Sequence, residues 1–172
     1  RRSSDLVREF FRPNFWPNTP DILTEHLQTG GRPAFVTRLI LAATLTANYG
    51  IYGPAFELQE HRNLRPGSEE YLDSEKYQIR EWDLERTDSL REIIALVNLI
   101  RKKNPALQQD KNIRFFPVSN DFILCFAKYT DDFSNVILVV ANLDPYHTHS
   151  GFLDVPVREL GVEKEDSYQV HD

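Results

Sequence analysis

One segment, TDSLREIIALVNLIRKKNPAL at residues 87–107, constrains the fold more than any other. Leu90, Ile93, Ile94, Val97 and Ile100 recur at helical spacing and form one apolar stripe. Ser89 and Glu92 stand three apart, the spacing of a capping box. Lys102 and Lys103 suit the negative end of the helix dipole, and Asn104-Pro105 ends the run. Beyond Pro105 the period changes. IRFFPVS, DFILCFAKYT and NVILVVANL are short β-branched or aromatic runs separated by SND, DDFSN and DPYH. This spacing predicts antiparallel strands in a hairpin or meander. GFLDVPV and SYQVHD are weaker strand candidates. The chain therefore divides into a helical, loop-rich part, residues 1–105, and an all-β part, residues 106–172.

Within the first part, Asp5 to Phe11 suits a short helix with Leu6, Phe10 and Phe11 on one side. NFWPN is expected to be extended, because a residue before proline is pushed out of the α region. TPDILTEHLQTGG reads as a helix with Thr19 at the cap, Pro20 at the first helical position, Asp21 in the first turn and a Gly-Gly stop. A second helix starts near Pro33 and is apolar on most faces. NYGIYGPAFE suggests a short buried strand running into a loop. The polar stretch that follows, 58–86, has no period over about 29 residues, a length that in compact domains is usually functional or disordered. Its aromatic residues Tyr71, Tyr77 and Trp82 argue for order.

Composition removes several function classes. At 172 residues, 41% hydrophobic and 12% aromatic, the chain can build a real core. Its formal charge of −6 argues against a nucleic-acid or anionic-membrane surface. No run is long enough to cross a bilayer, and the N-terminus lacks a signal-peptide core. The chain opens without Met on a charged amphipathic piece, which suggests a portion of something longer. Cys125, the single cysteine, lies in an apolar run and is expected to be inert. No metal site is expected, because His147 and His149 alternate with no third partner in view. There is no phosphate-binding glycine loop and no triad signature.

The residues alone leave the candidates open. Asp21 is either a helix-start carboxylate bound to its own backbone amides or an acid delivered into a site. Lys76 and Tyr77 sit in the largely acidic SEEYLDSEK and read as part of a solvated charge cluster. Glu57 and Glu60 either line a site or are ordinary loop acids, and Asn18 is suited to shaping the turn before Asp21.

FWPNTPDIL followed by GGRPAFVTRLILAATLTANYGIYGPAFELQE resembles the late part of a catalytic barrel of the α-amylase superfamily. The superfamily's aspartate motif has His directly before the Asp; here that place is Pro20, which separates the chain from ordinary amylases. NTPDIL, GGRPAF, GSEEYLDSEKYQI and VVANLDPYHTH together resemble the bacterial α-1,4-glucan:maltose-1-phosphate maltosyltransferases over nearly all of residues 11–160. That resemblance implies the final strands and helices of a (β/α)8 TIM barrel followed by an antiparallel β-sandwich domain. It implies retaining transfer of maltosyl units from maltose 1-phosphate to the non-reducing end of an α-1,4-glucan in a cytoplasmic, homodimeric enzyme without a cofactor. Asp21 matches the family's third carboxylate, the transition-state stabiliser, and Lys76 and Tyr77 match its donor-binding pair. The nucleophile and the acid/base belong to earlier strands and have no counterpart upstream of Asp21, so the chain by itself is expected to be inactive.

Two other readings compete. One is an amylase-superfamily hydrolase or a transferase with another donor, which would more naturally carry His before Asp21. The other is a β-module that binds glucan or caps a barrel. Phe122 and Phe126 alternate as a core face would, which favours a cap.

Overall fold

The computed structural model describes residues 10–162. The expected helix at residues 5–11 falls mostly outside them, and SYQVHD lies wholly outside. β1 (Asn14–Phe15) and β2 (Asn48–Tyr49) pair in parallel, Asn14 opposite Asn48 and Phe15 opposite Tyr49. Two helices connect them, α1 (Glu25–Thr29) and α2 (Gly31–Leu45). A parallel pair needs such a crossover, because a tight turn cannot return the chain in the same direction. Gly50 leaves β2 directly under Trp16; a Cβ there would come within 2.6 Å of the indole. The absence of a side chain is what lets the two segments approach.

The helix expected from Thr19 starts later, at Glu25. Residues 19–22 instead form a turn closed by Ile22 N donating to Thr19 O, 3.3 Å. Leu23 N is taken by the Glu69 carbonyl at 2.6 Å, so the backbone before Thr24 is tied to the polar stretch rather than coiled. The anticipated stop is in place: α1 ends at Thr29, and Gly30 is so close to the His26 carbonyl, Ala34 and Pro145 that no larger residue fits. The loop expected after β2 is in part a short helix, α3 (Gly53–Glu57), opened by Pro54 in its first turn.

The amphipathic segment forms α4 (Arg91–Lys103). Ser89 accepts from Arg91 N at 3.0 Å, but the reciprocal half of a capping box does not form: Ser89 N donates to Arg86 O. Of the predicted stripe, Leu90 and Val97 are buried, Ile93 and Ile94 pack against the core, and Ile100 is exposed. These residues close a core with Leu23, Leu27, Ala34, Phe35, Leu39, Ala43, Phe56 and Tyr71. The Phe35 and Phe56 rings meet at 5.2 Å, a tilted aromatic pair.

Beyond a 3-10 turn at Pro105–Gln108, β3 (Ile113–Phe116), β4 (Ile123–Tyr129) and β5 (Val136–Asn142) form the expected antiparallel meander in the order β3-β4-β5. By register, Phe126, Lys128, Val139 and Ala141 share one face and are buried; β5 contacts α2, and the 3-10 turn contacts β4 and β5. The other face carries Phe116, Cys125 and Ala127, covered by Leu153, Val155 and Leu160. Cys125 is buried as anticipated, and burial raises its thiol pKa. The two-sheet sandwich is not seen among the described residues, which contain one three-stranded sheet clad on each side by non-strand segments. No closed barrel is present among them either. Phe122 corrects the expected alternation: it lies before β4, is 52% exposed and stacks on His149 at 4.5 Å, while Phe126 is fully buried.

Candidate active site

Asn18, buried beneath the Thr19–Ile22 turn, sets the position of Asp21. Its amide donates to the Tyr71 hydroxyl at 3.0 Å, and its carbonyl oxygen accepts from Tyr52 N at 3.1 Å. Arg38 Nε holds the Pro17 carbonyl at 2.7 Å on the other side. With the backbone fixed, the Asp21 side chain points outward, 63% exposed, and does not cap a helix.

The polar stretch is ordered by its own turns. Ser74 accepts from Lys76 N through its hydroxyl and from Tyr77 N and Gln78 N through its carbonyl. This turn carries Lys76 to Asp21 across 55 positions of sequence: Nζ lies 2.7 Å from Oδ1. The hydrogen bond and charge of Asp21, with Tyr77 adding to them, raise the Lys76 pKa, so the ammonium is secured. Nζ is 5.5 Å from the Tyr77 ring centroid, and the ring itself is 72% exposed. The fold thus assembles an acceptor, a donor and an aromatic face in the open. Both partners are exposed, so solvent screens the pair and leaves it only weakly held.

Glu60 and Glu57 are occupied differently. Glu60 is 7% exposed and accepts from Arg62 Nε and Nη2 (3.0 and 2.8 Å), from Arg62 N (3.0 Å) and from Arg80 Nη2 (2.8 Å). Burial alone would raise its pKa; the arginine bonds and charge outweigh this and hold it at about 2. Glu57 Oε1 accepts from Ser89 Oγ at 3.0 Å and Arg91 Nε at 3.2 Å, at the entrance to α4. Both carboxylates are thus committed to neighbouring side chains of the fold.

Sequence reasoning passed over Tyr52, Glu75, Arg80 and Trp82. Glu75 receives the Tyr52 hydroxyl on Oε2 (2.6 Å) and Trp82 Nε1 on Oε1 (2.9 Å), and the Arg80 guanidinium lies 4.1 Å from the Trp82 ring. No local pattern connects Tyr52 to Glu75. The presence of Glu beside Lys76-Tyr77 was the one available signal.

The fold also supplies the third partner that the His-Thr-His spacing lacked. Asp144 Oδ2 lies 2.9 Å from His147 Nδ1 and 2.7 Å from His149 Nε2, within the reach of a metal-binding set. Asn120, oriented by bonds to Phe122 N and Ser150 O, turns its amide nitrogen to His149 Nδ1 at 3.4 Å. Both imidazole rings face the same carboxylate, and Asp144 is held well below the usual carboxylate range by His149 first and the Tyr146 amide second. No helix among the described residues is long and apolar enough to cross a membrane.

Residues 115–172 match the family described as GLGE, C-terminal. The chain is 49% identical over 172 residues to the α-1,4-glucan:maltose-1-phosphate maltosyltransferase of Chlorobaculum tepidum, covering 96% of this chain and 26% of that protein. It is 50% identical over 158 residues to the enzyme of that name from Rhodospirillum rubrum (92% and 23%) and 45% identical over 164 residues to that of Salinibacter ruber (95% and 24%). The chain spans about a quarter of the length of these curated relatives. At near-half identity along almost all of its length, the chain is similar to one stretch of the α-1,4-glucan:maltose-1-phosphate maltosyltransferases.

Proposed function

We propose that this chain forms part of a retaining glycosyltransferase that moves maltosyl units from maltose 1-phosphate to the non-reducing end of α-1,4-glucans, in the synthesis of glycogen-type polymers. The carrying observation is the 2.7 Å meeting of Asp21 and Lys76, two residues matched separately to the family's site. Retaining transfer uses a nucleophilic carboxylate and an acid/base about 5–5.5 Å apart around an oxocarbenium-like transition state. Asp21 takes the third role: it binds ring hydroxyls more strongly as positive charge develops on the sugar. Lys76 supplies a rotatable ammonium to donor hydroxyls or phosphate, and Tyr77 a flat face with a polar tip. Asn18 aims Asp21, while Glu57 and Glu60 belong to the framework. The nucleophile and acid/base come from strands outside this stretch.

Residues 1–105 then close the C-terminal side of a (β/α)8 barrel, and residues 106–172 cap it with β structure. The parallel β1–β2 pair with its helical crossover supports this, as does the position of Asp21 just after β1, since barrel enzymes carry their catalytic groups at strand C-terminal ends. Phe15 and Trp16 are exposed beside a groove of roughly 310 Å³ against α2, a surface suited to a neighbouring strand. The complete enzyme is read as a cytoplasmic homodimer.

The test is phosphate release from maltose 1-phosphate with glycogen as acceptor. The full-length protein should turn over and lengthen the glucan, and the 172-residue chain alone should not. Release of free maltose in place of glucan extension would return the protein to the hydrolases.

A further inference from the structure

We infer that Tyr52 and Glu75 are positioning residues that set the separation of Asp21 and Lys76. The inference rests on the reading of those two groups as sugar-binding residues. An exposed ion pair cannot fix its own geometry, because its interaction is worth little against side-chain freedom and solvent screening. A displacement of about 1 Å at a reacting centre can nevertheless cost on the order of 10²-fold in rate. Something behind the pair must hold it.

The hydrogen bonds behind the pair close a ring. Tyr52 N donates to Asn18 Oδ1, and Asn18 opens the turn that carries Asp21. The Tyr52 hydroxyl donates to Glu75 Oε2 at 2.6 Å, and Glu75 is the residue before Lys76. Lys76 Nζ returns to Asp21 Oδ1. Tyr52 thus grips both arms, the Asp21 turn by its amide and the Lys76 turn by its hydroxyl. Glu75 is held at both oxygens, since Trp82 Nε1 takes the other one at 2.9 Å. Its carboxyl pKa is lowered first by Trp82 and then by Tyr52, so it remains an acceptor for both at neutral pH. Tyr52 itself is fixed at the entrance to α3, and its ring meets the Tyr71 ring edge-on at 6.0 Å.

The experiment compares Tyr52→Phe, Glu75→Ala and Glu75→Gln in the full-length protein. A glutamine keeps the length and can accept from Trp82 while donating to the Tyr52 oxygen, so Glu75→Gln should retain most of the activity. Glu75→Ala and Tyr52→Phe should each raise the donor KM or lower kcat by about 10-fold or more, and the double variant should be no worse than Glu75→Ala, because both break one link. A readout that needs no turnover accompanies this: acylation of Lys76 by acetic anhydride, followed by mass spectrometry. Labelling should rise in Glu75→Ala and Tyr52→Phe and stay at the wild-type level in Glu75→Gln. Equal damage from Gln and Ala would overturn the inference, since it would mean that the charge acts directly. Unchanged labelling and kinetics with only a lower Tm would overturn it too. If the wild-type protein releases no phosphate, the transferase reading fails, and the labelling pattern still decides the positioning role.

Discussion

At the scale of the residue, similar carboxylates do different work because of what surrounds them. Asp21 is exposed with one ammonium partner, so it is free to meet a ligand; Glu60 is buried under two arginines, so it is not. Asp21→Asn in the full-length protein should lower kcat on the order of 10²-fold, measured by phosphate release, because the lost charge matters most as the sugar becomes cationic. Lys76→Ala should act mainly on the donor KM, the effect expected of the proposed donor-binding role, in which ground state and transition state are held alike. For Glu60 the sign follows from its lowered pKa. The folded group titrates near 2 against an ordinary 4.5, so its stabilisation is present above 4.5 and is lost as pH falls through 2. Glu60→Gln should therefore lower stability in urea titrations at pH 7 and make little difference near pH 2.

At the scale of the element, the helices obey their sequence signals where no tertiary partner interferes. The α4 stripe is legible because the 3.6-residue period and the Pro105 stop lie in one continuous run. Its start is only half legible: the N-cap is Leu90, Ser89 just before it accepts from Arg91 N, and Glu57, 32 positions earlier, takes the Ser89 hydroxyl. Ser89→Ala should cost about 1 kcal/mol, read as a lower denaturation midpoint, through loss of its hydroxyl bonds to Arg91 N and Glu57. The α1 start is misread from Thr19-Pro20 because Glu69 captures Leu23 N. A carbonyl from a distant segment overrides a local cap signal. Phe122 is misread for a similar reason: alternation places it on the Phe126 face, but the Asn120 side chain bends the chain by accepting from Phe122 N.

At the scale of the molecule, the helical part and the sheet meet where β5 packs on α2 and the 3-10 turn, and polar contacts tie that junction together. Asn135, at the foot of β5, donates to Asn104 Oδ1 (2.9 Å) and accepts from Ala106 N (3.0 Å). Tyr146 meets Thr29 at 2.7 Å, and Thr37 donates to the Asn142 carbonyl. Lys128 is fully buried at the same junction, bonded to the Gln109 carbonyl; burial lowers its pKa to about 8, with Asp110 opposing the shift. Asn135→Ala should destabilise the fold by about 1–3 kcal/mol, because it leaves buried partners unsatisfied, and thermal unfolding would show it as a lower Tm.

The sequence by itself determined the two-part order of helices then strands, the long amphipathic helix, the meander and the inert thiol. These depend on periodicity and on turn residues that lie close together in the chain. Its motifs also marked Asp21, Lys76 and Tyr77 as a possible set. Only the tertiary structure brought Lys76 to Asp21, enclosed Glu60 between arginines and placed Tyr52 between the two arms. Apart from the neighbouring Arg62, those outcomes depend on contacts between residues 20 to 55 positions apart, which no local pattern encodes, and on which carboxylates the packing leaves in water.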